Sequence, residues 1–376
     1  MRSVPGIAEK NHNSYYTQNF SAPIQGMQPS TGKAMTQAPT PDTNQTQQDS
    51  AAEDARLRVV VSLDVEEEGL FSGHYAATDC TVQNVSLLPR LAPLTRELGF
   101  PLSLLCTYPV FTNPEARVIL ARMRDSLGAE IGAHLHHWST PPPGQETSPP
   151  IPTDHLDPDL LRARLRTLLR AGQDFQGEPL RTFRMGRWDL KAAIRPLLAE
   201  EGIQVDSSVC PLRAFKNGPD HFLAPADPYW VEGGLLEAPI TQIALHPWFP
   251  PPLHAIARAL PDEHGRRLLD SFRFWGAFSA NPVWHSATVM RLAASWHAAR
   301  KGKVLCLFWH SSEMMPGASP RIATQEDADA LLVRVYDFLR WLKETYSARG
   351  VTLASLAHEP PAQGFPARPD DGYGDW

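Results

Sequence analysis

The chain has 376 residues, enough to bury a sizeable core in one large domain or two smaller ones. A hydrophobic fraction of 42% and a charged fraction of 20% are those of a soluble globular protein. With a formal net charge of −6 and no basic patch or stripe, a nucleic-acid partner is not expected.

Residues 1–56 are rich in Gln, Asn, Ser, Thr and Pro and almost free of aliphatic clusters. Such a segment cannot bury enough apolar surface to offset its ordering entropy, so it is expected to be disordered and dispensable for folding. It lacks a charged region followed by an apolar one, so no secretory leader is expected. No apolar stretch reaches about 18 residues, so no transmembrane anchor is expected either, and the expected location is cytoplasmic, either free or peripheral to the inner membrane. Four cysteines are scattered without a CxxC pair, and Cys106 and Cys306 lie inside apolar runs and read as buried thiols.

From residue 57 the chain alternates. Leu57–Leu63 is a continuous apolar strand, Ser86–Leu98 has helical spacing, Pro101–Cys106 is a strand, Pro114–Leu127 a helix and Glu130–His136 a strand. Asp157–Phe175 is a helix with Leu160, Leu161, Leu165, Leu168 and Leu169 on one face. Thr182–Arg184 reads as a short strand, Asp189–Glu200 as a helix and Lys303–His310 as a strand. Glu326–Tyr346 is a long helix and Val351–Leu353 a final strand. The Pro-rich segments Pro141–Pro152 and Pro247–Pro252 read as surface loops, and the tail from 360 to 376 as loose. Strands alternating with helices imply parallel β/α units in an α/β barrel, with the chemistry at the strand C-termini.

Five clusters could carry chemistry, four of them at such strand ends. The first is Ser62-Leu63-Asp64-Val65-Glu66-Glu67-Glu68. Strand alternation points Asp64 and Glu66 to one side and Val65 to the other, and two such carboxylates can divide the roles of base and metal ligand. The second is Gly132-Ala133-His134-Leu135-His136-His137-Trp138, in which alternation puts the imidazoles of His134 and His136 together and turns His137 away. The third, Phe183-Arg184-Met185-Gly186-Arg187-Trp188, offers a strand-end arginine able to grip a carboxylate in a fork, with a glycine for a sharp turn. The fourth, Asp206-Ser207-Ser208, also reads as a turn or helix cap. The fifth is Phe308-Trp309-His310-Ser311-Ser312-Glu313, where His310 can serve as a general acid. Histidines 246, 285 and 297 have no comparable setting and read as structural. The tryptophans at 230, 248, 275 and 284 read as packing residues that could also stack on sugars.

In order and wording, these clusters resemble the NodB-type polysaccharide deacetylases, carbohydrate esterase family 4. The stretches HLHHW, FRMGRW and HSSEMMPG are most similar to the lipopolysaccharide-biosynthesis (WalW-like) branch. The resemblance spans about residues 57–357. It implies a distorted (β/α)7-type barrel forming a single catalytic domain over 57–359. It also implies a divalent metal, often zinc, held by one acid and two histidines, and hydrolysis of an N-acetyl group from a glycan. Carried over position by position, Asp64 matches the catalytic base, Arg184 the arginine that orients it, His134 the first metal histidine and His310 the general acid. Trp138, Trp188, Asp206 and Glu313, which lie within the motifs, are expected to meet the substrate.

Two positions depart from the family pattern. Val65 stands where an adjacent second Asp is usual, so the metal acid is Glu66, or Asp64 itself with a different base. The usual H-x-x-x-H spacing would place the second ligand at Trp138, which cannot ligate zinc, and strand geometry substitutes His136. A metal-dependent hydrolase of a small amide and a non-catalytic glycan-binding relative are the rival readings.

Overall fold

The computed structural model describes residues 57–358 apart from 146, 216 and 217, together with 365–368 and 374–375. The expectation for residues 1–56 lies outside the described residues.

Seven parallel strands form the central sheet. In chain order they are β1 (Arg58–Val65), β2 (Leu102–Cys106), β3 (Glu130–Leu135), β4 (Thr182–Met185), β5 (Val205–Asp206), β6 (Leu236–Glu237) and β7 (Val304–His310). Their spatial order is β7-β1-β2-β3-β4-β5-β6, with the short strand Tyr229–Trp230 antiparallel to β6 and Arg349–Val351 paired with the start of β1. The sheet curls toward closure. Past β6 the chain reaches back to β7, where Thr241 N–H donates to Cys306 O at 3.0 Å and Cys306 N–H donates to Thr241 Oγ1 at 2.8 Å. A side-chain hydroxyl thus stands in for one rung of a missing ladder. The expected α/β barrel is therefore present as an open, distorted one.

Strand alternation divides the core in two. Val59, Val61, Leu63 and Val65 face outward and pack under the helices, with Leu120 and Met123 of Pro114–Leu127 and Leu331, Phe338 and Leu342 of Gln325–Tyr346. Val60, Leu105, Val205, Leu236, Val304 and Cys306 face the barrel interior. The interior is plugged from below by Leu353, Leu356 and Phe365. Two residues further along β1 and β7, the same inward face carries Ser62 and Asp64, and Phe308 and His310. The interior is apolar at the strand N-termini and polar at their C-termini, as barrels with active sites require.

Several expected elements shift for identifiable reasons. Pro247–Pro252 is not all loop, because Pro250 opens a helix, Pro250–Ala259. Prolines suit a first helical turn, whose N–H groups have no partner anyway. The segment expected as a helix over Ser86–Leu98 is a 3₁₀ run over Gln83–Leu91, with Pro89 inside, followed by a short α-helix, Ala92–Arg96. The helix expected from Asp189 begins only at Ala192, since Asp189 instead accepts from the N–H and Oγ1 of Thr153 at 2.7 and 3.0 Å and anchors the preceding Pro-rich loop. The final strand is Arg349–Val351, because Thr352 caps a helical turn over Leu353–Leu356. Part of the tail expected to be loose is docked, with Phe365 buried in the interior under the Arg58 guanidinium. All four cysteines are free, and Cys106 and Cys306 are buried. No helix among the described residues is long and apolar enough to cross a membrane.

Candidate metal centre

The C-terminal ends of β1, β3, β4 and β7 bring the expected residues to one place. Glu66, His134 and His136 are buried, and their ligand atoms lie within 4.8 Å of one another. Glu66 Oε2 is 3.5 Å from His134 Nε2 and 3.3 Å from His136 Nε2. Ligand atoms about 2.1 Å from a common tetrahedral zinc would stand about 3.4 Å apart, so the spacing fits such an ion. The tautomers fit as well. His134 Nδ1 donates to Arg184 O at 3.0 Å, and His136 Nδ1 donates to Glu67 Oε1 at 2.8 Å. Both Nε2 lone pairs are thereby left to face Glu66, the second-layer arrangement that metal-binding histidines generally show. His137 turns away, its Nε2 on Ile151 O, and stays outside the cluster.

The electrostatics ask for a cation. Burial pushes the Glu66 carboxyl up, but His310, His134 and His136 outweigh it and hold it well below the usual range. Burial disfavours charge on His136, yet Glu67 and Glu66 push it up to about 9. Protons therefore hold the positive charge that an ion would bring. Glu67 is itself kept low by His136 against the effect of burial, and it also accepts from Ser139 Oγ at 2.9 Å.

Asp64 stands beside this triad. Its Oδ1 is gripped by Arg184 Nη1 at 2.5 Å, and its Oδ2 lies 3.9 Å from both His134 Nε2 and His310 Nε2. Arg184 is fully buried and satisfied, since Nη2 donates to Ser62 Oγ and Ser207 Oγ and Nε donates to Ser207 O, each at 2.9 Å. Trp188 and Phe308 lie over its guanidinium at 5.2 and 5.6 Å. Trp188 reaches that place because Arg187 and Trp188 both take left-handed backbone, φ 60° each, a strain stored at the site rather than in the scaffold. His310 Nδ1 bonds Glu313 Oε2 at 2.9 Å, and Phe71 packs edge-on against its ring. Burial opposes charge on His310, but Glu66, Glu313 and Asp64 push it up to about 10.

Of the residues expected on the substrate, Trp188 is half-buried at the site. The three others are buried and engaged with protein groups. Trp138 stacks beneath His136 at 4.2 Å, and Glu313 is spent on His310. Asp206 points out of the barrel against its register partner Glu237, with Arg195 Nη2 3.8 Å from Glu237 Oε2. Glu67, named in the first cluster without a role, is the functional residue the sequence reading missed. The strand ends at Val65, and the chain bends Glu67 back onto His136.

Two substitutions test this scaffold. A Cβ on Gly186 would lie 2.4 Å from His136 Cδ2 and 2.8 Å from Leu135 O. Gly186→Ala is therefore expected to displace the His136 ring and weaken metal binding about 10–100-fold, read by competition with a chelating indicator. Unchanged affinity would remove His136 from the ligand set. The second concerns Asp206 and Glu237. Burial and then the Asp206 charge raise the Glu237 carboxyl well above its ordinary value, and burial raises Asp206. A group with a raised folded value adds stability below its unfolded value, about 4.3 for Glu, and loses it as pH rises toward the folded one. Glu237→Gln is expected to stabilise the protein at pH 9 relative to the parent, with the margin shrinking toward pH 4, as read from urea midpoints. A margin independent of pH would show that the pair holds no proton.

No family model and no curated protein matches the chain. Solved structures do. One from Mycobacterium smegmatis, described as a "putative polysaccharide deacetylase", aligns with a TM-score of 0.51 at 15% identity over 83% of this chain and 93% of its own. Another, from Parabacteroides distasonis and described as a "putative glycoside hydrolase/deacetylase", aligns with a TM-score of 0.54 at 10% identity over 81% and 70%. The chain has the fold of these deacetylases. At such identities the likeness is one of architecture, and the chemistry is argued from the side chains.

Proposed function

We propose that the chain is a metal-dependent hydrolase that removes the N-acetyl group from a sugar of a surface polysaccharide or its precursor. The observation that carries this reading is the convergence of Glu66, His134 and His136, with ligand atoms within 4.8 Å of one another, beside an arginine-held aspartate and a glutamate-held histidine. The substrate class is supported by the motif resemblance and by the fold shared with structures described as deacetylases.

A divalent ion held by Glu66, His134 and His136, with zinc the best fit, would polarise the acetamide carbonyl and lower the pKa of water toward about 7. Asp64 is the proposed base. Arg184 fixes its Oδ1 and leaves Oδ2 facing the centre, placed to take the proton of the attacking water. His310, tethered through Nδ1 to Glu313, presents Nε2–H to the departing nitrogen. The C–N bond breaks, the amine leaves with the proton from His310, and the acyl carbon leaves as acetate. Glu67, Ser139 and Asn84 position the ligands, Asn84 Nδ2 donating to Glu66 O at 3.0 Å. The orienting bonds on both histidines and on Asp64 favour an enzyme over a relative that only binds glycan.

Elemental analysis with an acetate-release assay on N-acetylated oligosaccharides tests the reading. About one ion per chain, its loss in His134→Ala, and acetate release that tracks metal content are expected. A metal-loaded protein that releases no acetate from any such glycan would refute the deacetylase reading. A protein that binds no ion would refute the centre.

A further inference from the structure

We propose that the basic cavity lined by Arg213, Arg273 and Arg321, next to the candidate metal centre, binds a phosphate or diphosphate group carried by the sugar substrate. The substrate part of this proposal rests on the deacetylase reading, whereas the anion site does not.

The cavity measures about 320 Å³ and is also lined by Gln242, Trp284 and His285. That is at the small end of ligand sites, with room for a compact charged group rather than a run of sugar rings. Its three guanidiniums come from separate parts of the chain: Arg213 from the loop after β5, Arg273 from the helix Asp262–Trp275, and Arg321 from the loop before the helix Gln325–Tyr346. Among the described residues, the ion pair that touches them is Arg213 with the half-exposed Asp270, at 4.0 Å. Arg213 Nε is buried with no hydrogen-bond partner. Burial, and then the Arg213 charge, hold the Arg273 guanidinium below its ordinary value, and burial and Arg321 do the same to His285. Three cations are thus gathered against mutual repulsion around a space, with the half-exposed Asp270 carboxylate offsetting them in part.

The charge count selects the ligand. A carboxylate is satisfied by one forked arginine, whereas three guanidiniums match the several oxygens and two or more charges of a phosphate or diphosphate. Its place selects the role. Trp284 lines the cavity and meets Phe308 edge-on at 5.3 Å, and Phe308 meets His310 at 5.7 Å. Asn281 clamps this wall, accepting from Trp284 N–H at 2.8 Å and donating to Phe308 O at 2.9 Å. A substrate with its acetamide at His310 and a phosphate on the neighbouring position would span one aromatic wall.

Calorimetric titration with inorganic phosphate and inorganic pyrophosphate tests the anion site in the metal-loaded wild type, Arg273→Gln/Arg321→Gln and His134→Ala. Both arginines are exposed, so the double variant should keep its unfolding midpoint. It should bind the tighter of the two anions at least about tenfold more weakly, while His134→Ala binds as wild type does. Equal binding by wild type and the double variant would overturn the site. So would loss of binding in His134→Ala alone, which would place the anion on the metal. The substrate role is read from kcat/KM for N-acetylglucosamine 1-phosphate against N-acetylglucosamine. Wild type should favour the phosphorylated sugar at least about tenfold, and the double variant should lose that preference with its rate on the plain sugar unchanged. Equal rates on both sugars in wild type would overturn the substrate role. Arginine-dependent pyrophosphate binding without deacetylation of either sugar would uphold the anion site and overturn the substrate role.

Discussion

Asp64→Asn is expected to lower the deacetylation rate about 10²–10⁴-fold, the usual loss for a general base, with metal content near that of wild type. Asn keeps the size of Asp64 and a carbonyl for Arg184 Nη1, but it cannot take a proton from water. Glu66→Gln should fail differently. It removes the anionic member of the triad, so affinity for the ion falls and activity partly returns at raised metal concentration. Metal content and rate must be measured on the same samples. If Asp64→Asn loses the ion and Glu66→Gln keeps it, the two roles are reversed.

Arg184→Met should destabilise the fold by about 3–5 kcal/mol, because it strands a buried carboxylate and two buried hydroxyls. Much of that cost belongs to the Asp64 charge, which Asn lacks. The double variant Asp64→Asn/Arg184→Met should therefore be more stable than the sum of the single losses predicts, by about 0.5–3 kcal/mol. Denaturant midpoints of the four proteins close the cycle. Strict additivity would mean that Asp64 and Arg184 are not an energetically coupled pair. Restored stability without restored activity is the expected signature of a pair kept for chemistry.

The sequence made the first half of the barrel readable because β1, β2 and β3 are largely apolar runs and β1 and β3 end in polar clusters. Trp138 cannot ligate a metal, and alternation along β3 preferred His136 to His137 as the companion of His134; the structure puts Trp138 beneath His136 as a packing plate. The same rule has no force two residues past a strand end, at Glu67, where the pleat no longer governs direction. It also had nothing to say about Ser207 and Glu237, whose partners are set by neighbouring strands rather than by nearby residues. The helices Asp262–Trp275 and Ala287–Ala299 were not anticipated. The first carries seven charged side chains among its fourteen residues if His264 is counted, and that hides a narrow apolar stripe of Leu269 and Phe272. The arginine cavity was equally illegible, since three separate segments build it.

Asp64 and His310 are direct register partners across β1 and β7, and one layer below them Ser62 and Leu307 are bonded 245 residues apart in the chain. The proposed base and acid thus meet only when the first strand of the sheet closes on its last long one, the slowest kind of contact for a chain to make. On the ribosome, Glu66, His134, His136 and Arg184 emerge long before His310. The proposed ion-binding triad and the arginine clamp belong to the early part of the chain, and the proposed proton donor belongs to the late part. A refolding or nascent chain should therefore take up metal in one phase and gain turnover in a later one, with metal-loaded but silent protein accumulating in between.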